Sequence, residues 1–122
     1  MNFRKNLDNM LTILNIDLVK NKKVGTNWVI TKVEEQFNIG LTRDCYVLNL
    51  RPTNRTIRGK QIPSAAILIS REVNAYGKYS VGICWDMYTD VIYSETIELS
   101  AITEFVIFNM AMVVLNKKIN SL

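Results

Sequence analysis

Between Phe105 and Leu115 a single side chain, Asn109, is polar. Such a run is too short to cross a bilayer, which takes about 20 helical residues. It is also too apolar to lie on a water-facing surface. As a helix it is apolar all the way round its axis, so every side of it needs a cover. Ser100 is placed to cap its start, and Lys117 and Lys118 suit the negative end of its dipole. In a chain of 122 residues, one sheet covers one side and a second helix another. The remaining face then calls for a second copy, which predicts a homo-oligomer. The β-branched content of the run also admits a central strand.

The rest of the chain supplies that cover. Phe3, Leu7, Met10, Leu11, Leu14 and Leu18 recur every three or four residues, and Ile13 and Ile16 widen the stripe. This spacing predicts a helix over 3–20, followed by Lys20, Lys22 and Lys23. Strands follow. Residues 27–37 place Trp28 and Ile30 on one face, with Val29, Thr31, Val33 and Phe37 on the other. The turn residues Asn38-Ile39-Gly40 lead to a strand over 44–51. Residues 65–73 and 79–87 read as a hairpin, with Tyr79, Val81, Ile83, Trp85 and Met87 alternating on one face. A weaker strand spans 91–99. The order predicts one α+β domain over residues 1–122. Its antiparallel sheet has about five strands, flanked by an N-terminal and a C-terminal helix.

Composition narrows the chemistry. The chain contains no histidine, so Ser-His and Cys-His dyads, imidazole bases and His-ligated metals are excluded. The two cysteines, Cys45 and Cys84, form no CxxC and lie in strand-like runs, which reads as reduced, buried thiols. The N-terminal residues lack the apolar core of a secretory signal, so the expected location is the cytoplasm. The carboxylates Asp86, Asp90, Glu95 and Glu98 follow no nuclease spacing. They read as decoration of a strand and its turn. Neither a metal nor a cofactor is expected, and the chain reads as a non-enzyme.

The net charge of +4 is unevenly spread: residues 1–61 hold eleven Lys and Arg against five Asp and Glu, and residues 62–122 hold four against six. The excess concentrates in a loop over 51–63, bounded by the chain's two prolines, Pro52 and Pro63. Arg51, Arg55, Arg58 and Lys60 stand there beside Thr53, Asn54, Thr56 and Gly59. The planar guanidinium donates two parallel hydrogen bonds to a phosphate, and small polar neighbours let a ligand approach the backbone. A second basic turn, Lys22-Lys23-Val24-Gly25-Thr26-Asn27, completes a pocket for a phosphorylated ligand. Neither segment has Walker spacing. Nucleic acid is a rival partner, but the loop holds no aromatic residue for base stacking and no helix is dense in Lys and Arg. A third reading is a protein-interaction module that docks through its apolar helices.

In size, in the helix–sheet–helix order, and in a Gly25-Thr26 turn some thirty residues before Arg58, the chain resembles a family of small phage proteins. These proteins block Thoeris defence by sequestering cyclic ADP-ribose signals. The resemblance implies an oligomeric sponge that binds an anionic nucleotide-type molecule without catalysis. Some members carry a second site for cyclic oligonucleotides between subunits, and Gly25, Thr26 and Arg58 would map to it. Trp85 and Asp86, with Asn109 on the buried helix, would map to the first site. Arg55 and Lys60 join the set through the loop's own chemistry. If the chain is phage-encoded, its location would be the host cytoplasm.

Overall fold

Period-two alternation in the central residues does form a sheet, because strands bury every second side chain against a common layer. The computed structural model describes residues 22–36, 45–71, 78–86, 90–98, 101 and 104–122. The 3–20 helix of the sequence reading lies outside them, as do Phe37, Met87 and the 38–40 turn. The described strands are β1 (Lys22–Val24), β2 (Trp28–Gln36), β3 (Cys45–Pro52), β4 (Thr56–Ile57), β5 (Lys60–Gln61), β6 (Ala65–Arg71), β7 (Lys78–Trp85) and β8 (Asp90–Glu98). A C-terminal helix, α1 (Glu104–Asn120), follows them.

The architecture is α+β. Six strands form one antiparallel sheet in the order β1-β2-β3-β6-β7-β8, and β4 and β5 make a separate two-stranded ribbon. This corrects the expected count of about five strands. β1 falls in the basic turn that precedes Trp28. The ribbon falls inside the 51–63 segment, which the proline boundaries had marked as loop throughout.

Helix α1 lies over one face. It buries Ile107, Phe108, Ala111, Leu115 and Ile119 against Trp28, Ile30, Leu48, Leu50, Ile67, Ile69, Val81 and Ile83. On β7, Tyr79, Val81, Ile83 and Trp85 all join this core, as their alternation predicts. The opposite face carries a smaller buried cluster of Val47, Ala66, Leu68 and Cys84, together with the buried Asn49.

Two register shifts defeat simple alternation. Between Ile30 and Lys32 the β2–β3 pairing slips, so Ile30 opposes Leu50 and Val33 opposes Leu48. The extra residue is Thr31, whose hydroxyl donates to the Asn49 carbonyl at 3.4 Å. The bulge reverses the phase. Val33 therefore packs against the helix-side core, the same face as Ile30 rather than the opposite one. A second shift on β8 sets Tyr93 opposite Ile83 but Val91 opposite Cys84, leaving Ile92 as the extra residue.

The 105–115 run is helical, and α1 extends beyond it to Asn120. Its cover is one-sided among the described residues: Phe105 is 78% and Val113 60% exposed. Asn109 is exposed too, which corrects its expected buried position. The residues of α1 that sink into the core recur at helical spacing, and Phe105, Asn109 and Val113 share the other ridge.

Candidate functional site

The antiparallel order brings separate basic segments to one end of the sheet. β2 and β6 begin there, and β1, β3 and β7 end there. The 25–27 turn, the 53–64 segment and Asp86 are therefore neighbours in space. Helix α1 enters from the far end and delivers its C-terminal half to the same place.

Four contacts lock this end together. The Thr53 amide donates to the Asn27 carbonyl at 2.8 Å, and the Thr53 hydroxyl donates to the Thr26 carbonyl at 3.1 Å. The Asn27 side-chain amide donates to the Asn116 side-chain oxygen at 3.1 Å, joining residues 89 apart in sequence. Gly25 meets the Met112 side chain closely enough that a Cβ there would overlap its sulfur. Gly25 has φ +65°, and the region is costly for any residue with a Cβ. Glycine is thus required twice, by backbone conformation and by the approach of the helix.

The ribbon folds back over the helix terminus. Ile62 donates its amide to the Arg55 carbonyl at 2.7 Å, closing the loop around β4 and β5. At its tip Arg58 adopts φ +51° and Gly59 φ +75°. From this position the Arg58 guanidinium donates to the Ile119 carbonyl at 3.2 Å. The last carbonyls of a helix have no partner within it. Here those of Lys117, Lys118 and Ile119 accept from the backbone amides of Ser121 and Leu122, the Ser121 hydroxyl and Arg58. Arg58 thus complements the negative end of the helix, and Lys117 and Lys118 flank it.

Beneath them, Trp85 packs edge-on against Trp28, with ring centroids 6.4 Å apart and planes at 74°. The Lys118 ammonium lies 6.0 Å from the Trp85 ring centre, at the outer range of a cation–π contact. Trp28 is fully buried, and its indole N–H has no hydrogen-bond partner among the described residues. An orphaned donor of this kind costs about 1–3 kcal/mol. Asp86 follows Trp85 with φ +55°, exposed at the same end.

Gly25, Thr26, Arg55, Arg58, Lys60, Trp85 and Asp86 are thus brought to one end of the molecule. Asn109 is not. It sits ten residues up α1 from Ile119, about 15 Å along the axis. Arg55 and Lys60 are exposed. Thr53, Asn27, Asn116 and Lys118 also belong to this end, although sequence reasoning did not single them out as site residues. Nothing in the local sequence around Asn27 or Asn116 signals their pairing. The position of Thr53 beside the arginines was the one available clue.

Among the described residues, no group of three or more Cys, Asp and Glu side chains is placed to hold a metal ion. No helix there is long and apolar enough to cross a membrane. Searches against protein-family models, curated proteins and solved structures find no match to this chain.

Proposed function

We propose that the chain is a non-enzymatic binder of a phosphorylated, nucleotide-type small molecule, held at the basic end of the sheet. The supporting observation is convergence: Arg55, Arg58 and Lys60 from the ribbon and Lys117 and Lys118 from α1 meet at one end, with Thr26 and Asn54 exposed beside them. Arg58 is engaged with the helix, so Arg55 and Lys60 are the cations offered to a ligand. Charge-assisted hydrogen bonds from such groups contribute about 1.5–3 kcal/mol each. The absence of histidine from the chain favours sequestration over turnover. Cyclic ADP-ribose and cyclic oligonucleotides are the ligands this reading names first, and an anti-defence sponge is the role.

Assembly is part of the proposal. Phe105 and Val113 expose apolar surface on one ridge of α1, and a second copy would bury it. The same surface favours a second reading, an interaction module docking on a different protein. Light scattering separates the two, because a stable homo-oligomer consumes the ridge and a monomer leaves it for another partner.

The test is isothermal titration of cyclic ADP-ribose and of a cyclic dinucleotide into the native protein and the Arg55→Ala/Lys60→Ala double variant. The native chain is expected to bind one of them, and the variant at least tenfold more weakly with an unchanged melting temperature. Equal binding by both proteins would place the ligand elsewhere. Absence of binding to either ligand would remove the nucleotide reading.

A further inference from the structure

β8 starts at Asp90, opposite Trp85, and runs away from the basic end as the long outer edge of the six-stranded sheet, with β7 on one side and no described strand on the other. An edge strand presents a row of backbone N–H and C=O groups to any extended chain that can lie beside it. Natural edges are blunted by shortness, proline, lysine, inward-pointing charges or a bulge, and of these β8 has only its carboxylates and the bulge at Ile92. β8 has nine residues and neither proline nor lysine. Every residue along it is exposed or half-buried.

The side chains define which strand would fit. β8 carries Asp90, Glu95 and Glu98 and no basic residue, within a chain of net charge +4. Glu98 stands opposite Lys78 on β7. Asp90 and Glu95 differ in parity, which would put them on opposite faces of a regular strand. The bulge at Ile92 cancels that difference: Asp90 opposes Trp85, Tyr93 opposes Ile83 and Glu95 opposes Val81, all on the helix-side face. Two carboxylates therefore flank Tyr93, which is 39% exposed and donates its hydroxyl to Glu95 Oε2 at 2.9 Å.

We propose that the β8 edge is a strand-addition site for an extended, basic segment of a partner protein. The partner's backbone completes the sheet, and its Lys or Arg side chains on one face meet Asp90, Tyr93 and Glu95. A second copy is a poor occupant. β8 against β8 sets carboxylates beside carboxylates, and the opposite edge, β1, offers three residues. The site begins beside the proposed anion-binding end, at Asp90, but uses neither Arg55 nor Lys60.

The test uses the full chain and three fluorescein-labelled nine-residue peptides. One alternates Lys with Thr, one replaces each Lys by Glu, and one is the Lys peptide N-methylated at alternate residues along one edge. The Lys peptide is expected to raise anisotropy saturably and to slow amide exchange in residues 90–98. The Glu peptide should leave exchange in residues 90–98 unchanged, even where its charge draws it to the basic end. N-methylation, or the Asp90→Asn/Glu95→Gln variant with retained melting temperature, should weaken binding at least tenfold. The N-methylated peptide carries the same charges as the Lys peptide, so it separates strand pairing from attraction by charge alone. Equal binding by the N-methylated peptide, failure of the Lys peptide to bind, or self-association that the double variant abolishes would each overturn the proposal.

Discussion

Gly25 and Gly59 share a left-handed backbone but not a neighbourhood, and the pair isolates what the helix contact costs. At Gly59, φ is +75° and an added Cβ meets nothing within 4 Å. Gly59→Ala therefore incurs the left-handed penalty of about 1–2 kcal/mol, offset by about 0.4–1 kcal/mol from a stiffer unfolded chain. The net loss is about 1 kcal/mol. At Gly25, with φ +65°, a Cβ would also overlap the Met112 sulfur and stand 3.0 Å from its Cγ. Overpacking typically costs about 1–3 kcal/mol. The lower end applies here, because Met112 is half-buried, unbranched and able to swing aside. Gly25→Ala should thus lose about 2 kcal/mol, twice the Gly59 effect. At roughly 4 °C per kcal/mol for a chain of this size, the melting temperatures fall by about 8 °C and about 4 °C. Urea and thermal unfolding followed by circular dichroism measure both. In a Met112→Ala background, the Gly25→Ala penalty should shrink to the Gly59 value. Equal penalties at the two glycines, or no relief from removing the methionine side chain, would refute the close approach of α1 to this turn.

Two further outcomes are expected. Arg58→Ala removes the donor to the Ile119 carbonyl and should destabilise by about 1 kcal/mol, whereas Arg58→Gly, which also relaxes the positive φ, should cost less. Urea unfolding of Arg58→Ala with no loss of stability would mean that the arginine is only a surface charge. Tyr93 should ionise above the usual tyrosine range, because its hydrogen bond to Glu95 favours the neutral phenol, with burial and the carboxylate's charge adding to it. A raised folded-state pKa means this contribution is fully present below the unfolded value and is lost as pH rises through the folded one. Ultraviolet titration of the native chain and Glu95→Gln checks this, the variant moving back toward the usual range.

The strands with uninterrupted alternation were readable in advance. Tyr79, Val81, Ile83 and Trp85 occupy the face that period two assigns them, because burial acts on every second residue whatever lies beyond. Val33 was not readable: the bulge at Thr31 is a property of the β2–β3 pairing, and one inserted residue reverses every face after it. The 105–115 run announced a buried helix, but hydrophobicity does not say which side meets the sheet. Phe105 and Val113 ended outside and Ile107 and Ala111 inside.

The candidate site divides the same way. Sequence alone determined its chemistry: an arginine-rich segment between two prolines, a glycine turn, and no histidine. Those are statements about residue types, which need no neighbours to be true. Tertiary structure decided the roles. The antiparallel strand order brings residues 25–27, 53–60 and 116–119 to one end of the sheet, where Asn27 finds Asn116 and Arg58 finds the Ile119 carbonyl. All three cations are exposed, but Arg58 is committed to a helix terminus through the Ile119 carbonyl. The local sequence treats these three cations alike. Only the helix end, whose orphaned carbonyls need a donor, tells them apart.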